Sequence, residues 1–328
     1  MSDVLSVLIV GCGDIAGGYD ERAHDGGTRT HAGAYAADGR FEMRACVDPD
    51  AERREAFMAY WNVAAGYPDL ESCLTAEGAF DVASICVPTA YHADALAQLL
   101  VADVRLVFAE KPLTDNVDES RRLVAEYAAA GRPLAVNFLR RWDRRVQQLR
   151  AEIRAGDWGA VQAVGGLYAK GLRNCGSHFF DIVQYLIGPM TPVHVLGQVD
   201  DGRDDDPTLS VALTLEGGRP VTLIGADADK FFPFEVDLVM DNGRISLEDL
   251  GGKLRLRRVR QHPEYVHQAT LDDGEIETTG LAGAMVAAVG NIYEHLTEDA
   301  ELESTGDSAL VTEELTARIL AMAGPGAN

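Results

Sequence analysis

Seven residues, Val4 to Val10, run apolar except for Ser6 and lead straight into Gly11-Cys12-Gly13-Asp14-Ile15-Ala16. No other stretch of the chain restricts the fold as much. A short apolar run rich in β-branched residues is what a strand buried on both faces of a parallel sheet requires. In a G-x-G-x-x-A turn after such a strand, the first glycine makes the tight reversal. The second lets backbone N–H groups approach a pyrophosphate. A strand-to-helix turn with no ligand satisfies the same spacing, so the turn alone indicates α/β architecture and leaves the ligand open.

Phe41 to Val47 reads as a second buried strand, and it ends in Asp48. A carboxylate there accepts hydrogen bonds from an adenosine ribose and repels a 2′-phosphate, which favours NAD over NADP. Arg53 and Arg54, one turn later, suit either a 2′-phosphate or a solvated helix face. Asp48 lies 35 residues beyond Gly13, where about 20 is usual. The excess falls in Gly17 to Thr30, with Gly17-Gly18 and Gly26-Gly27, and a helical pattern resumes near His31. A loop over the cofactor or substrate entrance and a tolerated surface insertion account for it equally well.

Asp81 to Val87 is a third strand, broken by Pro88-Thr89 before a helix from about Tyr91 to Val101, with Thr89 or Ala90 as its cap. His92 in the first turn either touches a bound cofactor or fills an interface between helices. Arg105 to Ala109 then delivers Glu110-Lys111-Pro112, an ionic pair at the end of an apolar run. Asn116-x-x-Glu119 has capping-box spacing, its helix closes at Gly131, and Leu134 to Phe138 forms another strand.

From Val161 onward apolar and polar residues alternate between glycine or aspartate turns: Val193–Val199, Leu209–Leu215, Val221–Ala226, Phe234–Met240 and Leu254–Val259. That pattern is an antiparallel sheet with one covered face. The run Asp200 to Asp206 reads as a solvated loop. Lys253, Arg255 and Arg257 share one strand face, solvated or in contact with a second subunit, with an anionic-ligand site as the lesser alternative. Two helical patterns follow, about Leu281 to Leu296 and Asp307 to Met322, the second with Val311, Leu315, Ile319 and Met322 on one stripe.

A chain of 328 residues suits two domains, here 1–134 and 135–328 with the C-terminal helices packing back on the body. The formal charge of −23 disfavours nucleic acid and anionic membranes as partners, because the summed field repels both. Cys12, Cys46, Cys73, Cys86 and Cys175 are odd in number and lack metal-ligand spacing, so they read as reduced core thiols and no metal site is expected. With no leader pattern and no apolar run of 18 residues, the expected location is the cytoplasm.

Taken together, the glycine turn, Asp48, Cys86-Val87-Pro88-Thr89-x-x-His92 and Glu110-Lys111-Pro112 resemble the Gfo/Idh/MocA family of oxidoreductases. So do Asn137-Phe138-Leu139-Arg140-Arg141-Trp142-Asp143 and Asn174-x-Gly176-x-His178-x-x-Asp181. The resemblance implies an α/β chain: an N-terminal Rossmann parallel-sheet domain followed by an α+β domain with a large open antiparallel sheet, commonly paired as a homodimer or homotetramer. Family members usually carry aspartate where this chain has Asn174.

The implied chemistry is hydride exchange between NAD and a secondary alcohol or ketone. Gly11, Gly13, Asp14, Ile15, Ala16, Asp48, Pro88, Thr89, His92, Glu110 and Lys111 would bind the cofactor. Lys111, His178 and Asn174 form the implied catalytic set. Desolvation and an oxidised nicotinamide would ease loss of the Lys111 proton, while Glu110 would oppose it. Asn174 cannot exchange a proton near neutrality but can donate and accept hydrogen bonds. Arg140, Tyr168, Lys170 and Arg173, with Asn174 and His178, are the candidate substrate contacts. The expected substrate is a sugar, foremost a nucleotide-linked or amino sugar. The alternatives are an inositol or free sugar, and a catalytically silent NAD-binding sensor.

Overall fold

The computed structural model describes residues 4–23 and 27–324; positions 24–26 of the insertion and 325–328 of the tail lie outside the described residues. The chain forms two compact units, Met1–Trp142 with Ala282–Leu310, and Asp143–Leu281 with Val311–Asn328.

In the first unit the apolar runs become strands β1 (Leu5–Val10), β2 (Phe41–Val47), β3 (Ala65–Tyr67), β4 (Phe80–Ile85), β5 (Val104–Ala109) and β6 (Leu134–Val136). All pair in parallel in the order β3-β2-β1-β4-β5-β6, the doubly wound arrangement whose ligand crevice lies at the carboxyl ends of the strands. Its helices are α1 (Tyr19–Arg22), α2 (His31–Asp38), α3 (Ala51–Trp61), α4 (Leu70–Glu77), α5 (His92–Val101) and α6 (Val117–Ala129).

Short polar side chains set where these helices begin. The Thr30 hydroxyl accepts from the Gly33 N–H, and the Asp50, Asp69 and Asn116 side chains cap α3, α4 and α6. The expected cap on α5 is absent, because Thr89–Tyr91 forms a tight 3-10 turn that runs directly into the helix. One sheet face is covered by Tyr35 of α2, Phe57 of α3 and Met285, Val289 and Ile292 of a later helix, and the other by Leu96, Leu99, Leu123 and Tyr127.

The second unit opens with α7 (Arg144–Ala155), β7 (Val161–Tyr168) and α8 (Ser177–Leu186). Strands β8 (Met190–Gln198), β9 (Leu209–Leu215), β10 (Pro220–Gly225), β11 (Phe234–Met240), β12 (Gly243–Glu248), β13 (Lys253–Gln261), β14 (Ala269–Leu271) and β15 (Glu275–Thr278) follow. They build one large sheet in the order β14-β13-β12-β11-β7-β10-β9-β8, with β15 on β13. It is antiparallel except where β10 runs parallel to β7. Helix α8 lies close against β7 because residue 166 is glycine; a Cβ there would stand 2.2 Å from the Phe179 ring.

Helices α9 (Ala284–Glu298) and α10 (Gly306–Ala323) end the chain. On α10 the buried row is Thr312, Leu315, Thr316 and Ile319, whereas Val311 and Met322 are exposed, so the apolar stripe sits rotated from the expected one. The Lys253, Arg255 and Arg257 row is paired within its own unit, to Asp249, Glu248 and the Asp272 carbonyl. Among the described residues no helix is long and apolar enough to cross a membrane. All five cysteines are buried free thiols, and burial pushes Cys73 up to about 12.

Candidate active site

At the carboxyl ends of β1, β2 and β4 the first unit holds a cleft of about 710 Å³. Gly11, Gly13, Asp14, Ile15, Asp48 and Pro88 all line it. Gly11 has φ +93° and approaches the end of β4 so closely that a Cβ would lie 2.8 Å from the Val87 nitrogen. At Gly13 a Cβ would meet nothing within 4 Å. The first glycine is therefore required by the protein's own backbone, while the second leaves space open to the cleft.

Asp48 is buried, and its carboxylate accepts from the Cys12 N–H at 3.0 Å and the Asp50 N–H at 2.9 Å. A carboxylate offers about four acceptor positions, so two backbone bonds leave capacity for a ribose hydroxyl. Arg53 also lines the cleft, 3.5 Å from Asp48 and 3.2 Å from Asp50. Arg54 instead donates to the Asp48 carbonyl. The open space at Gly13 and the oriented carboxylate fit a dinucleotide. Bound there, NAD supplies the hydride acceptor.

The described part of the insertion is ordered by its acids. Asp20 accepts from the Arg29 N–H and from both the N–H and hydroxyl of Thr30. Arg22 pairs with Asp14 at 2.6 Å, and Tyr19 lines the cleft. Of the remaining candidate cofactor contacts, Ala16 is fully buried. His92 is corrected: it is 1% exposed and its two ring nitrogens each lie 2.8 Å from a backbone carbonyl, of Pro112 and of Val87. It ties the loop after β4 to the turn after β5 and has no face left for a ligand. Thr89, Glu110 and Lys111 are not among the residues lining the cleft.

Glu110, at the end of β5, sits in a polar network that sequence reasoning missed. Its Oε1 accepts from Asn137 Nδ2 at 2.6 Å and lies 3.0 Å from His31 Nε2. His31 Nδ1 is 3.1 Å from Ser84 Oγ, which is 2.8 Å from the Tyr35 hydroxyl. Burial works to raise the Glu110 carboxyl, yet His31, Asn137 and the charge of Lys111 together hold it below the usual carboxylate range. Lys111 itself is half-buried. A histidine restarting a helix after an insertion, on a strand-flanking face, was the signal available.

In the second unit Arg173 and Asn174 are exposed on the Gly171–Gly176 turn that opens α8, and His178 is half-buried one turn on. The Asp206 carboxylate accepts from the N–H groups of Arg173 at 2.7 Å and Asn174 at 2.9 Å. The acidic run 200–206 is thus more than a solvated loop: its last residue holds the turn that carries Asn174, and Asp201 accepts from the Thr208 hydroxyl. The His178 ring packs edge-on to Phe234, 6.3 Å between centroids. Lys170 is exposed, with its ammonium 4.5 Å from the Phe232 ring. Tyr168 is corrected as a substrate contact. It is fully buried, and its hydroxyl is spent on Leu209, donating to the carbonyl and accepting from the N–H. Arg140 is half-buried in the first unit.

Residues 5–138 match the family model described as an oxidoreductase family with an NAD-binding Rossmann fold. An inositol 2-dehydrogenase of Corynebacterium glutamicum (strain R) is 27% identical over 200 residues, 57% of this chain and 56% of the relative. The chain spans about half the length of the first curated relatives it matches. An inositol 2-dehydrogenase of Burkholderia vietnamiensis is 27% identical over 75% of this chain and 74% of its own. Among solved structures, the WlbA dehydrogenase of Bordetella pertussis, in complex with NADH and UDP-GlcNAcA, superposes with a TM-score of 0.79. It is 20% identical, covering 98% of this chain and 97% of that one. Over residues 5–138 the chain is thus similar to the NAD-binding Rossmann domain of the Gfo/Idh/MocA oxidoreductase family.

Proposed function

We propose that the protein is an NAD-dependent oxidoreductase that moves a hydride to or from the CH–OH carbon of a sugar, foremost a nucleotide-linked or amino sugar. The observation carrying this reading is the cleft open at Gly13 and lined by the Asp48 carboxylate, with the turn that presents Lys111 following β5, the strand next to β4. Oxidation of an alcohol requires a group that takes the hydroxyl proton as hydride leaves the same carbon. Lys111 fills that role, His178 holds or shares the proton, and Asn174 orients a hydroxyl or acetamido group through hydrogen bonds alone.

The nucleotide-linked reading draws support from Lys170, Arg173 and the exposed Phe231 and Phe232 in the second unit. Cations suit a diphosphate, and aromatic faces suit a base. An inositol or free sugar is the second reading, favoured by the curated relatives named inositol 2-dehydrogenase. The two separate in a thermal-shift assay with NAD present. A nucleoside diphosphate at about 100 times its Kd should stabilise the protein by about 2.7 kcal/mol under the first reading. A shift with myo-inositol and none with any nucleoside diphosphate supports the second. Apolar residues exposed on the sheet strands, Val193, Leu196, Ile224 and Val239, fit assembly into a homodimer or homotetramer.

Asp48 also sets the choice of cofactor. Asp48→Ala removes a buried acceptor and frees Arg53 for a 2′-phosphate. Calorimetric titration should show NAD binding weakened by about 10-fold or more, with NADP binding unchanged or tighter. Parallel losses for the two cofactors would contradict the role assigned to Asp48.

A further inference from the structure

We propose that His31, together with Asn137, is a positioning residue for Lys111: their two hydrogen bonds to Glu110 Oε1 fix that carboxylate beside the lysine and set how readily Lys111 gives up its proton. Nothing in the chemistry of hydride transfer calls for His31, which is fully buried and contacts neither the cleft nor solvent. Its position is nonetheless strongly specified. The ring packs against Phe108, two residues before Glu110, with centroids 4.5 Å apart and the planes tilted by 43°, and stands at the first position of α2 immediately after the Thr30 cap.

The direction of the hydrogen bonds follows from counting protons. The buried Tyr35 hydroxyl is pushed up by desolvation and keeps its proton. It donates to Ser84 Oγ, Ser84 donates to His31 Nδ1, and His31 Nε2–H donates to Glu110. In this direction every proton of the chain has an acceptor. Asn137 is oriented just as firmly. Its Nδ2 serves both Glu110 and Met285 Sδ, and turning the amide over would set its oxygen against the carboxylate. Asn137 Oδ1 is consequently left buried without a hydrogen-bond partner. That cost is retained at a site where the amide's other end orients Glu110.

The groups acting on Glu110 are His31 from α2, Asn137 after β6 and Lys111 beside it in the chain, and Glu110 in turn acts on Cys86 after β4. Without His31, one of the two hydrogen bonds that hold Glu110 Oε1 in place is lost. With the carboxylate free to turn away, Lys111 loses a fixed negative neighbour and holds its own proton less tightly.

The role of Lys111 in turnover belongs to the proposed function, whereas the link from His31 to Lys111 can be read without a substrate. The pH dependence of amine acylation at Lys111 is followed by mass spectrometry, with Lys230, whose side chain is 77% exposed, as internal reference. His31→Leu and Glu110→Gln should both move the Lys111 midpoint down by about one pH unit, with Lys230 unmoved. Asn137→Ala should move it the same way by less. His31→Gln, whose side-chain amide can replace the Nε2–H donor, should restore it. A Lys111 midpoint unchanged in His31→Leu, or in Asn137→Ala should the leucine variant not fold, overturns the proposal. So does a His31→Gln variant that shifts as far as His31→Leu. A wild-type protein that turns over no sugar, yet shows these shifts, refutes the enzymatic reading and leaves the positioning role standing.

Discussion

Lys111→Ala should lower kcat by about 10³-fold, equivalent to about 4 kcal/mol of transition-state stabilisation, while the Kd for NAD changes only a few-fold. The asymmetry follows from where the side chain stands. Lys111 lies beyond β5 and outside the lining of the dinucleotide cleft, so its removal leaves Gly13 and Asp48 undisturbed. Its loss removes a group needed only while the hydroxyl proton moves, and an interaction made only in the transition state lowers kcat and kcat/KM together. Steady-state kinetics beside calorimetric NAD binding tests this. Near-normal kcat would remove Lys111 from the chemistry, and loss of NAD binding in proportion to kcat would make it a cofactor ligand instead.

The second large effect separates two glycines that look alike in the sequence. Gly13→Val should leave thermal stability within about 0.5 kcal/mol and weaken NAD binding by about 100-fold or more, roughly 2.7 kcal/mol. The new side chain points into space that the protein leaves empty and the pyrophosphate needs. Gly11→Ala should do the reverse first, costing about 2–4 kcal/mol of stability. It combines an unfavourable φ of +93° with a Cβ 2.8 Å from the Val87 nitrogen, backbone that cannot swing away. Thermal melts and NAD titrations on the two variants distinguish these outcomes. A destabilised Gly13→Val protein, or a stable Gly11→Ala protein, would contradict the division of labour.

What the sequence made legible was mostly local. The strand-glycine-strand pattern fixed the parallel sheet because such strands must be apolar on both faces, and strands β9 and β11 fell where alternation put them. Strand β12 (Gly-Arg-Ile-Ser-Leu-Glu) went unread: its alternation is short, and its glycine and two charged residues look like a turn. The α10 stripe was misplaced because Thr312 and Thr316 are buried with Leu315 and Ile319, and threonine is not an apolar signal.

The candidate site was legible at the glycines and at Asp48, whose spacing is the chemistry. It was not legible where partners are distant in sequence. His31 and Glu110 lie 79 residues apart, and Asn174 and Asp206 32 apart. Only the folded strands bring such pairs together. Tyr168 and His92 misled for a related reason. Both are residue types that ligands use, but backbone groups far along the chain had already claimed their polar atoms.

The proposed reaction is the NAD-dependent oxidation or reduction of a sugar carbon. It is tested most directly by nicotinamide absorbance with the wild-type protein, across nucleotide sugars, amino sugars, free sugars and inositols and their keto forms. NAD-dependent turnover is expected on at least one of them, abolished in Lys111→Ala. Tight NAD binding with no turnover on any of them would contradict it and make the protein a cofactor-binding sensor.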